Sequence, residues 1–200
     1  MKINSATFLV SAPDLASCPA HELQEFAFIG RSNVGKSSMV NMLTGRKDLA
    51  KVSATPGFTK LINFFTINNA WSLVDLPGYG YAKVAQRHRT EFNQAVADYL
   101  QHRPNLRCTF VLIDSRIPPQ HMDLEFLGWL SGCGLPFALI FTKSDKLSPK
   151  ALQASVADFR TNLAEVSEVQ PEIFTSSSKL RQGRNEILGF IATRLVEPTG

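Results

Sequence analysis

Residues 25–45 read EFAFIGRSNVGKSSMVNMLTG. The apolar run 25–29 ends at Gly30 and reads as a buried strand. SSMVNMLT (37–44) has the pattern of a helix stopped by Gly45. Between them GRSNVGKS, Gly30 to Ser37, satisfies G-x-x-x-x-G-K-[ST] in the strand–turn–helix context that this pattern requires. Glycines let the backbone curl so that several amides converge on phosphate oxygens, and the helix N-terminus adds its positive end. In such a loop Lys36 reaches the outer phosphates and Ser37 offers a hydroxyl to magnesium. Gly30, Arg31, Ser32, Asn33, Val34, Gly35, Lys36 and Ser37 are therefore candidate phosphate-binding residues. A chance glycine turn is the bland alternative, and the flanking strand and helix count against it.

Working outward, residues 46–60 lack periodicity and carry Thr-Pro-Gly, so they read as a loop. LINFFTIN (61–68) and AWSLVD (70–75) flank Asn68-Asn69 and predict an antiparallel hairpin. Phe92, Val96, Tyr99 and Arg103 share a helical face that Pro104 ends. CTFVLID (108–114) reads as a strand, MDLEFLGWL (122–130) as a helix and PFALIF (136–141) as a buried strand. Leu152, Val156, Phe159, Leu163 and Val166 form a core stripe at helical spacing. EIFTSS (172–177) is a last strand, and Ile187, Leu188, Ile191 and Leu195 mark a closing helix. Buried strands alternating with helices predict an α/β three-layer sandwich: a mostly parallel sheet, one antiparallel hairpin strand, and helices on both faces. Ligands of such sheets sit beyond the carboxyl ends of the strands, where Gly30, Asp75, Asp114, Thr142 and Ser176 fall. One domain over residues 1–200 is expected, with a short N-terminal extension of about residues 1–22.

Composition narrows the setting. Hydrophobic residues make up 44% and charged residues 19% of the 200, as in a globular protein. No apolar run approaches the roughly 20 residues of a membrane span, and the N-terminus is a poor signal peptide. Cys18, Cys108 and Cys133 read as isolated thiols in a reducing compartment, and the four histidines lack ligand spacing. The expectation is a cytoplasmic protein without membrane contact, and a monomer. The net charge of +4 is unevenly spread: residues 31–89 hold nine Lys/Arg against Asp48 and Asp75, giving +7, and the remainder is −3. That polarity suits a polyanionic partner.

The phosphate loop leaves ATP and GTP open, and TKSD (142–145) decides between them. A carboxylate at Asp145 accepts the ring N1–H and the exocyclic amine of guanine. Adenine presents a lone pair at N1 and no amine beside it, so the carboxylate would stay unpaired. A site built this way rejects the mismatched ligand by roughly 10⁴-fold or more. Thr142, Lys143 and Ser144 join Asp145 in the candidate set, with the stem of Lys143 covering the base plane. FTSS (174–177) at the next strand end is less specific. Phe174, Thr175 and Ser176 are assigned there, with a backbone amide near Ser176 directed at the guanine oxygen. DLPG (75–78) ends the second hairpin strand, as a magnesium-side Asp75 and a γ-phosphate amide at Gly78 would, with Leu76 and Pro77 between. The loop before the hairpin supplies Gly57, Phe58, Thr59, Lys60 and Leu61. Thr59 is the candidate second metal hydroxyl beside Ser37. Lys36, Thr59 and Gly78 are the candidates for a catalytic role. Thr59 and Gly78 would hold two loops in place only while the γ-phosphate remains.

GRSNVGKSS, TPGFTKLINFF, DLPGYGYAKV and TKSDK, in this order, resemble the EngB (YsxC or YihA) family of bacterial ribosome-assembly GTPases, of the Era-like branch. The resemblance covers about residues 6–195, and DLPGYGYAK is specific to that family. It implies GTP and Mg²⁺ binding, slow hydrolysis, and a role in maturing the large ribosomal subunit, through rRNA or a ribosomal protein. Loss of such proteins is associated with defects in cell division and septation. The family usually has arginine where this chain has Phe58, and glutamine where it has Lys60, while Thr59 is kept. Many switch GTPases carry a water-orienting glutamine directly after the DxxG glycine. Tyr79 stands there, and a phenol is no substitute for an amide. Asn33 matches the position used by potassium-activated relatives, and equally suits a turn. A signalling switch acting on a division protein without RNA contact is the alternative function. A metabolite kinase is disfavoured by TKSD.

Overall fold

The apolar run at 25–29 forms the interior of β2 (Gln24–Gly30), whose neighbours on both sides are other strands. Alternate side chains leave its two faces. Phe26 and Phe28 enter one apolar cluster and Ala27 and Ile29 the other, all at most 1% exposed. Burying each phenylalanine contributes about 1.5–3 kcal/mol. A strand apolar on both sides needs helices on both sides.

The structure is a computed structural model that describes residues 1–50, 61–79 and 86–196, with residues 86–93 described as backbone only. The described elements are β1 (Ala6–Ala12), β2, α1 (Lys36–Thr44), β3 (Ile62–Ile67), β4 (Trp71–Asp75), α2 (Gln86–His102), β5 (Leu106–Asp114), α3 (His121–Gly132), β6 (Phe137–Thr142), α4 (Pro149–Ala164), β7 (Ile173–Thr175) and α5 (Arg184–Val196). The sheet order is β1-β3-β4-β2-β5-β6-β7. Only β3 runs against its neighbours β1 and β4, and the remaining pairs are parallel. α1 and α5 pack on the face of Phe26, Phe28 and Phe110, and α2, α3 and α4 on the other. The three-layer sandwich expected from the strand–helix alternation is present.

Local chemistry sets the element ends. Gly45 at φ 71° closes α1, its amide bonding to Asn41 and Met42 carbonyls. Asn68 and Asn69 both sit at positive φ (53° and 51°), as a two-residue hairpin turn requires. Ser148 caps α4, accepting from the Ala151 amide at 3.2 Å, with Pro149 in the first turn.

Three features differ from the sequence reading. No strand is expected in residues 1–22, yet Ala6–Ala12 forms the edge strand β1. The Asn68 side chain holds its start, accepting from the Asn4 and Ser5 amides (2.7 and 3.1 Å) and donating to the Lys2 carbonyl (2.8 Å). Val166 lies beyond α4 and is 44% exposed, so the stripe ends at Leu163. Glu25 is fully buried at the end of β2 opposite Gly30. There it accepts from Arg103 through Nε and Nη2 (3.0 and 2.6 Å) and from the Tyr99 hydroxyl (2.7 Å). This clamp ties the end of α2 to the sheet.

Candidate functional site

The phosphate loop leaves β2 through a space that admits no side chain at Gly30. A Cβ there would meet the Leu112 carbonyl oxygen at 2.8 Å and Val34 Cγ1 at 3.0 Å. The chain then reverses through two left-handed residues, Asn33 (φ 64°) and Gly35 (φ 104°), and enters α1 at Lys36. Val34 is buried, whereas Arg31, Ser32, Gly35, Lys36 and Ser37 are half-buried and Asn33 is exposed. The loop has an anchor outside itself, because the Thr142 hydroxyl lies 2.7 Å from the Val34 carbonyl oxygen.

Beside the loop, β4 delivers Asp75, which is 3% exposed and receives the Lys36 ammonium. The Leu76 amide continues the strand, donating to Phe28 O at 3.0 Å, and Leu76 itself is buried. Pro77 leads to Gly78, which passes the loop in close contact. A Cβ on Gly78 would lie 2.7 Å from the Gly30 carbonyl oxygen. Magnesium takes oxygen donors and keeps several of its waters. The Ser37 hydroxyl and the Asp75 carboxylate are donors of that type, and Asp75 is charge-compensated by Lys36. Among the described residues no group of three or more His, Cys, Asp or Glu could hold a metal alone. Ser37 and Asp75 fit a magnesium ion that phosphate oxygens would also hold.

On the other side, Lys143 adopts a left-handed conformation (φ 59°) that turns its side chain back along the loop. Its ammonium donates to the Asn33 carbonyl (2.6 Å) and to Asp114 Oδ2 (2.8 Å). Burial pushes the Asp114 carboxyl up, but hydrogen bonds from Arg116 and Lys143 outweigh it and hold it at about 2. A single 3-10 turn, Ser144–Lys146, follows. Ser144 is buried and donates its amide to Ser176 O at 3.1 Å. Asp145, with 11% of its side chain exposed, accepts from the Ser177 hydroxyl at 2.7 Å. That hydroxyl is the main cause holding its carboxyl below the usual range.

Phe174 is a core residue and Thr175 is half-buried at the end of β7. The Ser176 amide is already committed to the Phe141 carbonyl (2.8 Å), and that of Ser177 to Gln182 O (3.2 Å). The side chain touching Asp145 thus belongs to Ser177, one residue beyond the serine singled out in the sequence. The run of serines at 176–178 directly after a strand was the available signal. Arg116 is a second residue that sequence reasoning passed over, forming a fork on Asp114 (2.9 and 2.8 Å). Leu61 is 39% exposed. Gly57, Phe58, Thr59 and Lys60 lie outside the described residues, as do Lys51 and Lys83 and the side chains of Arg87 and Arg89.

Tyr79 turns towards α3. Its ring stacks on Phe126 (centroids 4.7 Å apart), and its hydroxyl donates to Asp123 Oδ1 at 2.9 Å. Burial and the neighbouring carboxylate push its ionisation well above that of an ordinary tyrosine. The other Asp123 oxygen pairs with Arg31 Nε at 3.2 Å. A cavity of about 220 Å³ lies behind, lined by Pro77, Tyr79, Val96, Phe126 and Trp129 among others. Among the described residues no helix is long and apolar enough to cross a membrane.

Comparisons with known proteins place the chain in a family. The family model for the 50S ribosome-binding GTPase matches residues 25–143. A probable GTP-binding protein EngB of Bacteroides fragilis is 51% identical over 191 residues, 96% of this chain and 95% of that protein. Its counterpart in Christiangramia forsetii is 50% identical over 191 residues, 96% of each chain. Among solved structures, a probable GTP-binding protein EngB superposes with TM-score 0.69 at 22% identity, covering 87% of this chain and 100% of that one. Era in complex with MgGDPNP and a fragment of 16S ribosomal RNA gives TM-score 0.69 at 20% identity, covering 90% and 59%. At such identities these two structures show the fold alone. The family match and the near full-length relatives carry the assignment: this chain belongs to the EngB family and is a GTPase.

Proposed function

We propose that this chain is a magnesium-dependent GTP switch with slow intrinsic hydrolysis that assists assembly of the large ribosomal subunit in the cytoplasm and is needed for normal cell division. The observation that carries the nucleotide half is the base-side wall, in which Lys143 lies along the phosphate loop and Ser177 fixes Asp145 beside it. In this reading the Asp145 carboxylate accepts guanine N1–H and the 2-amine, and the Lys143 stem covers the base. With the Ser176 and Ser177 amides committed, the guanine oxygen falls to the amides that follow, at Ser178 and Lys179.

Amides of residues 30–37 hold the phosphates. Lys36 exchanges Asp75 for the outer phosphate oxygens, and Ser37, Thr59 and the Asp75 side would hold magnesium. When bound, that ion neutralises charge on the phosphate oxygens. The Gly78 amide and Thr59 sense the γ-phosphate. Tyr79 lacks an amide to orient water and is directed at Asp123, which supports slow turnover. Asn33 is exposed in a left-handed turn, with its carbonyl taken by Lys143. Hydrolysis compared in potassium and sodium tests any further role for it.

The ribosomal half rests on the matched family's description and on the basic stretch 31–89. Lys47, Lys51, Lys60, Lys83, Arg87 and Arg89 flank the nucleotide-sensing segments. Contacts of these residues with phosphates would release counterions and make docking salt-sensitive. Co-sedimentation with purified large subunits tests it. A non-hydrolysable GTP analogue should promote association relative to GDP, and the Lys83→Glu/Arg87→Glu double variant should lose it while keeping nucleotide affinity. Undiminished co-sedimentation by that variant would favour a division-protein partner instead.

A further inference from the structure

Three segments meet at one buried carboxylate. Asp123, in the first turn of α3, is 2% exposed, and its two oxygens meet two different segments. Oδ2 faces Arg31, the first residue after Gly30 in the phosphate loop. Oδ1 accepts from Tyr79, the first residue after Gly78. Gly30 and Gly78 are themselves in such close contact that a methyl group on Gly78 would strike the Gly30 carbonyl. The two segments that pass each other here are thus pinned immediately downstream by the same side chain. Burial pushes the Asp123 carboxyl up, and the guanidinium and the phenol stand as its compensating partners. The ring of Tyr79 is further fixed by the stack Tyr79–Phe126–Trp129 (4.7 and 5.8 Å).

We propose that Asp123 is a positioning residue for the nucleotide site, coupling Arg31 of the phosphate loop to Tyr79 of the segment after Gly78. Arg31 and Tyr79 influence each other through the carboxylate, so a change at the phosphate loop is felt by the segment that carries the γ-phosphate amide. This rests on the reading of residues 30–37 as a GTP site. A merely structural role for Asp123 would affect folding stability and leave nucleotide kinetics uncoupled.

The experiment is a double-mutant cycle with Arg31→Gln and Tyr79→Phe, which retains the ring and removes only the hydroxyl. It is measured in the native chain and again in an Asp123→Asn background, where an acceptor for Tyr79 survives and the charge facing Arg31 does not. Two quantities are read: release rates of fluorescent GDP and of a fluorescent GTP analogue, and thermal unfolding of the nucleotide-free protein. Residues in one network deviate from additivity. The expected deviation in the release rates is about threefold or more, and it should vanish with Asp123→Asn. Additive release rates in the native background overturn the proposal, whether or not the unfolding temperatures are coupled. A deviation that persists unchanged with Asp123→Asn also overturns it, because the coupling then runs elsewhere. Should Arg31→Gln not fold, Arg31→Lys, which keeps the charge and loses the Nε donor, takes its place in the same cycle. A native chain that binds no guanine nucleotide defeats the functional reading before any variant is made. The unfolding cycle still decides whether the carboxylate links the two segments.

Discussion

Gly78→Ala isolates the contact on which the switch reading depends. Gly78 has no left-handed φ to excuse it, so the obstacle to a side chain is space alone. An added Cβ would stand 2.7 Å from the Gly30 carbonyl oxygen, where real Cβ contacts stay above 3.0 Å. The colliding atom is backbone that cannot rotate away. Either the phosphate loop or the segment carrying Gly78 must retreat by about 0.3 Å or more. Overpacking of this kind costs about 1–3 kcal/mol. At about 2–4 °C per kcal/mol for a chain of this size, the nucleotide-free protein should melt roughly 2–12 °C lower. The nucleotide effect should be selective. An amide bond to a charged phosphate contributes about 1.5–3 kcal/mol, or roughly 10- to 100-fold in affinity. In the proposed site that amide serves the γ-phosphate, which GDP lacks. Titration calorimetry with a GTP analogue and with GDP should show that loss for the analogue and a change of at most about twofold for GDP. An alanine variant with native affinity for both nucleotides and an unchanged melting temperature would refute the reasoning.

Other substitutions probe separate links. Ser177→Ala should weaken GDP and GTP by the same factor, roughly tenfold, because it loosens Asp145 and leaves the phosphates alone; a phosphate-dependent loss would contradict this. Arg103→Ala should destabilise the fold by about 3–5 kcal/mol by taking the guanidinium away from the fully buried Glu25 carboxylate, and Tyr99→Phe by about 1.5–3 kcal/mol, both measurable by urea unfolding. The carboxyl of Asp114 is held at about 2, below its unfolded value, so its contribution is present at neutral pH and is lost as pH falls through that value. The stability gap between the native chain and Asp114→Asn should therefore be full above about pH 4 and close towards pH 2. A gap independent of pH would show that the carboxylate is not the source.

The parts of this molecule written into local sequence were the parts read correctly. A strand, a phosphate loop and a capped helix occupy consecutive residues from 25 to 45, and glycine chemistry marks each junction. The Asn68-Asn69 turn likewise announces its hairpin. β1 escaped because a bulge between Phe8 and Val10 breaks its alternation, leaving Phe8 and Leu9 exposed together (54% and 47%) on an edge strand. Ser177 and Asp123 escaped for a different reason. Their partners lie 32 residues away at Asp145, and at Arg31 and Tyr79, and nothing in spacing or periodicity reports a contact made only by the fold. The direction of Tyr79 belongs to the same class: its chemistry excludes an amide's role, but only packing shows that its hydroxyl is spent on α3.

The most direct test of the central claim is equilibrium titration of the purified chain with GTP, GDP and ATP, repeated for Asp145→Asn with xanthine nucleotides. The account predicts that GTP and GDP bind, that ATP binds roughly 10⁴-fold or more weakly, and that the variant prefers xanthosine phosphates, whose 2-oxo group needs a donor. Equal binding of ATP and GTP by the native chain would contradict it.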